Sequence, residues 1–101
     1  MSGFSASPAQ RLKCRDAACI VCGAPPPSDP AHVIPRSLGG KDHHNDVVPL
    51  CRRDHDRYDQ GALDLLPFLE PSYRREQERA VELIGLAAAY RRITNTRNPG
   101  D

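Results

Sequence analysis

The sequence predicts a small α+β domain stapled near its middle, with a short hairpin and helix followed by a long C-terminal helix. Three observations carry that prediction. The chain has 101 residues, enough for one core and little more. Three of its four cysteines and all four histidines fall between Cys19 and Asp59, so groups able to hold a metal or move a proton are concentrated in one stretch. Hydrophobic residues form short runs bounded by proline and glycine as far as Leu50, and a helical pattern after it.

Composition narrows the class. Aromatic residues make up 5% and tryptophan is absent, so something other than aromatic packing must fix the middle of the chain, and a bound zinc would do so. The net charge of +1 does not by itself announce a nucleic-acid partner. No apolar run is long enough to span a bilayer, and the first residues lack the apolar stretch of a secretory signal, so the expected location is cytoplasmic. In a reducing compartment, Cys19 and Cys22 read as a metal half-site or redox pair rather than a disulfide.

Taken in order, residues 1–10 are small, polar and aperiodic and are expected to be a disordered tail. A short lead-in follows over residues 11–18. Its basic cluster of Arg11, Lys13 and Arg15 reads as solvated surface. Cys19-Ile20-Val21-Cys22-Gly23 is a tight turn that can aim two sulfurs at one point, with the glycine free to adopt positive φ. The proline-rich stretch 24–30 reads as a stiff connector. His32-Val33-Ile34 is a short β segment stopped by Pro35. Residues 37–42 are turn-rich, and Val47-Val48-Pro49-Leu50 is the returning strand.

From Cys51 the spacing becomes helical, with Cys51, Asp54, His55, Tyr58 and Asp59 on one side, and Gln60-Gly61 as the stop. Residues 11–61 thus form the expected core. Over 62–93, an apolar connector leads into a long helix from residue 72, with Ser72 as its N-cap. An apolar stripe of Ala80, Val81, Ile84, Ala87 and Ala88 is widened by Leu83, Leu86 and Tyr90. That width suggests burial from two sides: the helix covers its own core or forms a homodimer interface. Residues 94–101 are expected to be a flexible tail.

Two constellations carry chemistry. Cys19, Cys22 and Cys51 supply three thiolates in knuckle, hairpin, helix order, which is the treble-clef order and most of a tetrahedral structural zinc site. The fourth position is Asp54, a carboxylate, with His55 next to it as an alternative and Cys14 as a more distant one. The second constellation is His32, the Asn45-Asp46 pair, His55 and Asp59.

This text resembles the HNH endonucleases. The matching stretches are Cys19-x2-Cys22-Gly23, Ala31-His32-Val33-Ile34-Pro35-Arg36-Ser37-Leu38-Gly39-Gly40, Val47-Val48-Pro49-Leu50-Cys51, and His55-x3-Asp59. Leu63-Asp64-Leu65-Leu66-Pro67 and the C-terminal helix are similar to the tail of short phage and prophage members. The resemblance implies a ββα-metal fold and DNA as substrate, with 5'-phosphate and 3'-hydroxyl products. It implies His32 as the general base, Asp46 or Asn45 as the residue that fixes the loop, and His55 with Asp59 as holders of a catalytic Mg2+, Mn2+ or Ni2+. A near-neutral histidine suits the base role, and an imidazole and a carboxylate at i and i+4 suit one divalent ion. Arg36, Arg53 and Arg57 are the candidate phosphate contacts, with a hairpin ion pair as the other role open to Arg36. The resemblance leaves open whether the chain works alone or within a larger phage or host complex.

Three positions depart from the family pattern. Ala31 stands where many members carry a metal-binding Asp or His; His43 and His44 read as exposed polar loop residues, the alternative being that one of them replaces that ligand. Asp46 stands where the loop Asn is usual, and Asp54 where a zinc-binding thiolate or imidazole is usual. The competing function is a non-catalytic zinc-binding interaction module for DNA or protein, in which His55 completes the zinc site.

Overall fold

A computed structural model describes residues 6–95. Helix α1 spans Pro8–Arg15, strand β1 Asp29–His32, strand β2 Val47–Leu50, and helix α2 Arg52–Asp59. Three further helices follow: α3 Leu66–Leu69, α4 Arg74–Ile84 and α5 Leu86–Thr94. The architecture is small α+β, with helices packed around a two-stranded antiparallel sheet. No helix of the described residues is long and apolar enough to cross a membrane.

The expected tail does not extend to residue 10. Ser7 caps α1 in a capping box with Gln10, Pro8 occupies the first helical turn, and Ala6 and Gln10 are buried. The tails expected over residues 1–5 and 96–101 lie outside the described residues; Thr94 itself closes α5. The N-terminal basic cluster is also less solvated than expected. Lys13 is mostly buried, donating to the carbonyls of His44 (2.6 Å) and Val47 (2.7 Å) and pairing with Glu76. Arg15 remains exposed.

The first strand runs earlier than its sequence suggests, Asp29–His32 rather than His32 to Ile34, and it includes Pro30. The register explains how proline is tolerated. Pro30 lies opposite Pro49, and since neither residue has an N–H, they must form a non-hydrogen-bonded pair. Asp29–Leu50 and Ala31–Val48 then carry the ladder. All four residues of β2 are buried because α1 covers the sheet in addition to α2.

The C-terminal half holds two helices rather than one. Gly85 adopts φ +90 and interrupts the pattern between α4 and α5. The helix also starts one residue late, with Tyr73 rather than Ser72 at the N-cap. This break accounts for the wide apolar stripe. A phase change at Gly85 lets α4 bury Ala80 and α5 bury Ala89 and Ile93, while Leu86 and Tyr90 stay exposed. The width therefore gives no independent support for a dimer. Leu65 N–H donates to the Ile93 carbonyl (2.9 Å), fastening the connector to α5.

Candidate active site and metal centre

The cysteine cluster is built by short-range geometry. Cys19 N–H donates to the Ala24 carbonyl (3.0 Å) and Gly23 N–H to the Cys19 carbonyl (2.9 Å), with Gly23 at φ +75, so the knuckle folds back on itself. Cys51 is the N-cap of α2 and its sulfur accepts from the Asp54 N–H (3.5 Å). Ligand atoms of Cys19, Cys22, Cys51 and Asp54 lie within 4.8 Å of one another.

The spacing fits a tetrahedral ion. Two thiolates about 2.3 Å from zinc should stand about 3.8 Å apart, and a thiolate and a carboxylate oxygen about 3.5 Å apart. Cys22 Sγ and Cys51 Sγ are 3.7 Å apart, and Asp54 Oδ2 is 3.4 Å from both Cys19 Sγ and Cys51 Sγ. The other carboxylate oxygen, Oδ1, accepts from Arg57 (3.0 Å) and faces Arg53 (3.5 Å). Burial opposes ionisation of Asp54, but hydrogen bonds from Cys22, Cys51, Cys19 and Arg57 hold its carboxyl below the usual range. The Cys51 thiol is pushed up to about 11 by burial and by its neighbours Cys22 and Asp54. A metal binds thiolates, so loading the cluster would release thiol protons.

Cys14 is not part of this cluster. It is fully buried on α1, where desolvation pushes its thiol up to about 12, which makes it an inert core residue.

On the neighbouring face of α2, His55 sits between two carboxylates. Nδ1 is 3.1 Å from Asp29 Oδ2, and Nε2 is 3.3 Å from Asp59 Oδ2. With Nδ1 donating to Asp29, Nε2 turns its lone pair toward the Asp59 carboxylate, so the two groups could hold one cation between them. Ligands on one ion with bonds of about 2.1 Å stand about 3.0 Å apart in octahedral and about 3.4 Å apart in tetrahedral geometry. The pair fits that spacing, with Asp29 orienting the imidazole from behind.

His32 ends β1 at a cleft of about 400 Å³ that it shares with Arg36, His55, Asp59 and Arg92. Its Nε2 is 3.0 Å from the Lys41 carbonyl. Burial, with a further contribution from Arg36, lowers its pKa from the ordinary histidine value despite the opposing Lys41 carbonyl, so the ring is neutral at pH 7. Asp46, buried behind it, accepts from Lys41 N–H (3.1 Å) and Arg79 Nε (2.8 Å), and its own carbonyl accepts from Val33 N–H (3.0 Å). The Lys41-to-Asp46 loop is thus clamped at both ends.

Asn45 lies in a 3-10 turn with its N–H donated to His43 Nδ1, so the bracing belongs to Asp46. His43 and His44 are exposed and stacked on each other at 4.3 Å, and neither lines the cleft. Arg36 lines the cleft and pairs with Asp42 across the loop. Arg53 and Arg57 are instead engaged with Asp54. Sequence reasoning missed Asp29, inside a stretch read as a connector, and Arg79 and Arg92, on helices that carried no motif. Arg92 stacks on Tyr58 (4.3 Å) and donates to Asn95 Oδ1 (3.2 Å); its buried Nε has no hydrogen-bond partner among the described residues.

Residues 19–61 match the family model described as HNH endonuclease. This segment belongs to the HNH endonuclease family. No curated protein and no solved structure gave a significant match. The HNH segment encloses the cysteine cluster, both cleft histidines and Asp59, while α1, α4 and α5 lie outside it. Membership points to nuclease activity and to dependence on a metal.

Proposed function

We propose that the protein hydrolyses DNA phosphodiester bonds, with His32 as the general base and His55 and Asp59 as the holders of a divalent ion. The carrying observation is that one cleft gathers His32, His55 and Asp59 together with two arginines. With Nε2 tethered to the Lys41 carbonyl, Nδ1 is the basic nitrogen of His32 and takes the proton from the attacking water. When bound, a Mg2+, Mn2+ or Ni2+ ion would offset the charge gathering on the phosphate and the departing 3' oxygen. Arg36 and Arg92 supply the contacts to phosphate oxygens, and Asp46 keeps the loop carbonyl in register with the imidazole. The cysteine cluster is read as a structural zinc site that fixes the knuckle against α2. It does so for a core of residues 11–61, which the first turn of α1 extends at the front.

The competing reading, a non-catalytic zinc module, needs His55 among the sulfurs. Asp54 occupies that position, and His55 faces Asp29 and Asp59. Supercoiled plasmid incubated with the protein and Mg2+, Mn2+ or Ni2+ should give nicked circles. His32→Ala should remove that activity while retaining the wild-type circular dichroism spectrum. A wild-type protein inert with all three ions would overturn the proposal.

A further inference from the structure

We propose that Gln10, on α1 and outside the HNH segment, is a positioning residue for His32: it holds the carbonyl to which the imidazole is tethered and thereby selects which ring nitrogen carries the proton. The inference rests on the reading of His32 as the base.

The side chain is fully buried, so each of its polar groups needs a partner. Oε1 accepts from Ser7 N–H (2.9 Å), and Nε2 donates to the carbonyls of Lys41 (2.8 Å) and His43 (3.0 Å). Reversing the amide would set an oxygen against two carbonyls and a nitrogen against an N–H, so its orientation is determined. Both amide protons are then committed, and the 3.4 Å approach of Gln10 Nε2 to His32 Nε2 cannot be a bond donated by glutamine. The Lys41 carbonyl can only accept. His32 must therefore donate from Nε2, which leaves the lone pair on Nδ1.

The loop requires such a brace from outside. Asp46, where the sequence pattern leads one to expect an amide side chain, accepts from Lys41 N–H but has no proton to give a carbonyl when ionised. Three successive loop carbonyls are instead satisfied from α1: Lys41 and His43 by Gln10, and Asp42 by Ser7 Oγ (2.9 Å). Three residues before Lys13, Gln10 thus completes a seam between the first helix and the loop behind the base.

The test uses the full chain and two readouts. Ring 15N chemical shifts of His32 at pH 7.5 should report one dominant tautomer in the wild type, protonated at Nε2. In Gln10→Met, which keeps the volume but removes the donors, the shifts should move toward a mixture, and kcat for plasmid nicking should fall on the order of tenfold with KM within about twofold. Arg15→Gly, at an exposed position near the end of the same helix, loosens that helix without touching Gln10 or the loop, and should leave the tautomer as in the wild type. A wild-type ring protonated at Nδ1 overturns the inference whether or not any variant folds. So does a folded Gln10→Met with unchanged shifts and rate. A wild type that nicks nothing, yet whose tautomer depends on Gln10, supports the tether while refuting the nuclease reading.

Discussion

Replacing Asp54 by alanine separates the two ways in which α2 could share out its ligands. Asp54 Oδ2 lies 3.4 Å from two of the three sulfurs, so on the proposed reading its loss removes one of four donors to the structural zinc. Structural zinc sites contribute roughly 10–16 kcal/mol of apparent binding free energy, so one donor of four is worth about 3 kcal/mol, or about a hundredfold in affinity. With metal in excess, the same factor appears as about 3 kcal/mol of lost folding stability, because the ion binds only the folded chain. For a domain of this size that lowers Tm by about 10 °C or more. Asp54→Ala also frees Arg53 and Arg57, so the metal contribution is the difference between melts with and without EDTA. Zinc affinity is read independently by competition with a chromogenic chelator. Asp54→Cys should retain the ion. The reasoning fails if Asp54→Ala holds zinc within about twofold of the wild type, or if His55→Ala is the variant that releases it.

Three other predictions follow from the same geometry. Because burial lowers the His32 pKa, the base stays neutral further into acid than an ordinary histidine; nicking should rise with pH, inflect below 6.5 and level off above it, and an inflection at or above 7 contradicts the assignment. Arg79→Ala leaves the buried Asp46 carboxylate without its 2.8 Å partner and should cost about 2–3 kcal/mol in urea unfolding, with an unchanged midpoint counting against the clamp. Arg92→Ala should lower kcat/KM about tenfold, and Arg92→Lys should restore little, since an ammonium does not reproduce a guanidinium held flat on Tyr58; full rescue by lysine would remove Arg92 from the phosphate contacts.

What was legible in the sequence was what local chemistry decides. Cys19, Cys22 and Gly23 form their turn within five residues. Cys51 and Asp54 are joined by the geometry of a helix start, and the Gly61 stop and the HNH spacing are equally short-range. The Pro30 and Pro49 pairing was less visible, because proline argues against a strand until the opposite residue is known to be proline too. The break at Gly85 was hidden for a similar reason, since a single glycine inside a helical pattern is compatible with either one helix or two.

By itself, the sequence determined the types of the candidate ligands, their order and the helix that carries them. Tertiary structure decided which of two consecutive residues meets the sulfurs. Asp54 and His55 are separated by about 100° around α2, so a rotation of that helix by about that angle would turn His55 instead of Asp54 toward the sulfurs. The hairpin and Tyr58, whose hydroxyl donates to the Val33 carbonyl (2.7 Å), fix the rotation with Asp54 inward to the cysteines and His55 toward Asp29. The same holds for the supporting residues. Gln10 reaches Lys41 across 31 positions and Arg79 reaches Asp46 across 33. No spacing rule spans such distances, because those contacts exist only once the core has brought α1 and α4 against the loop.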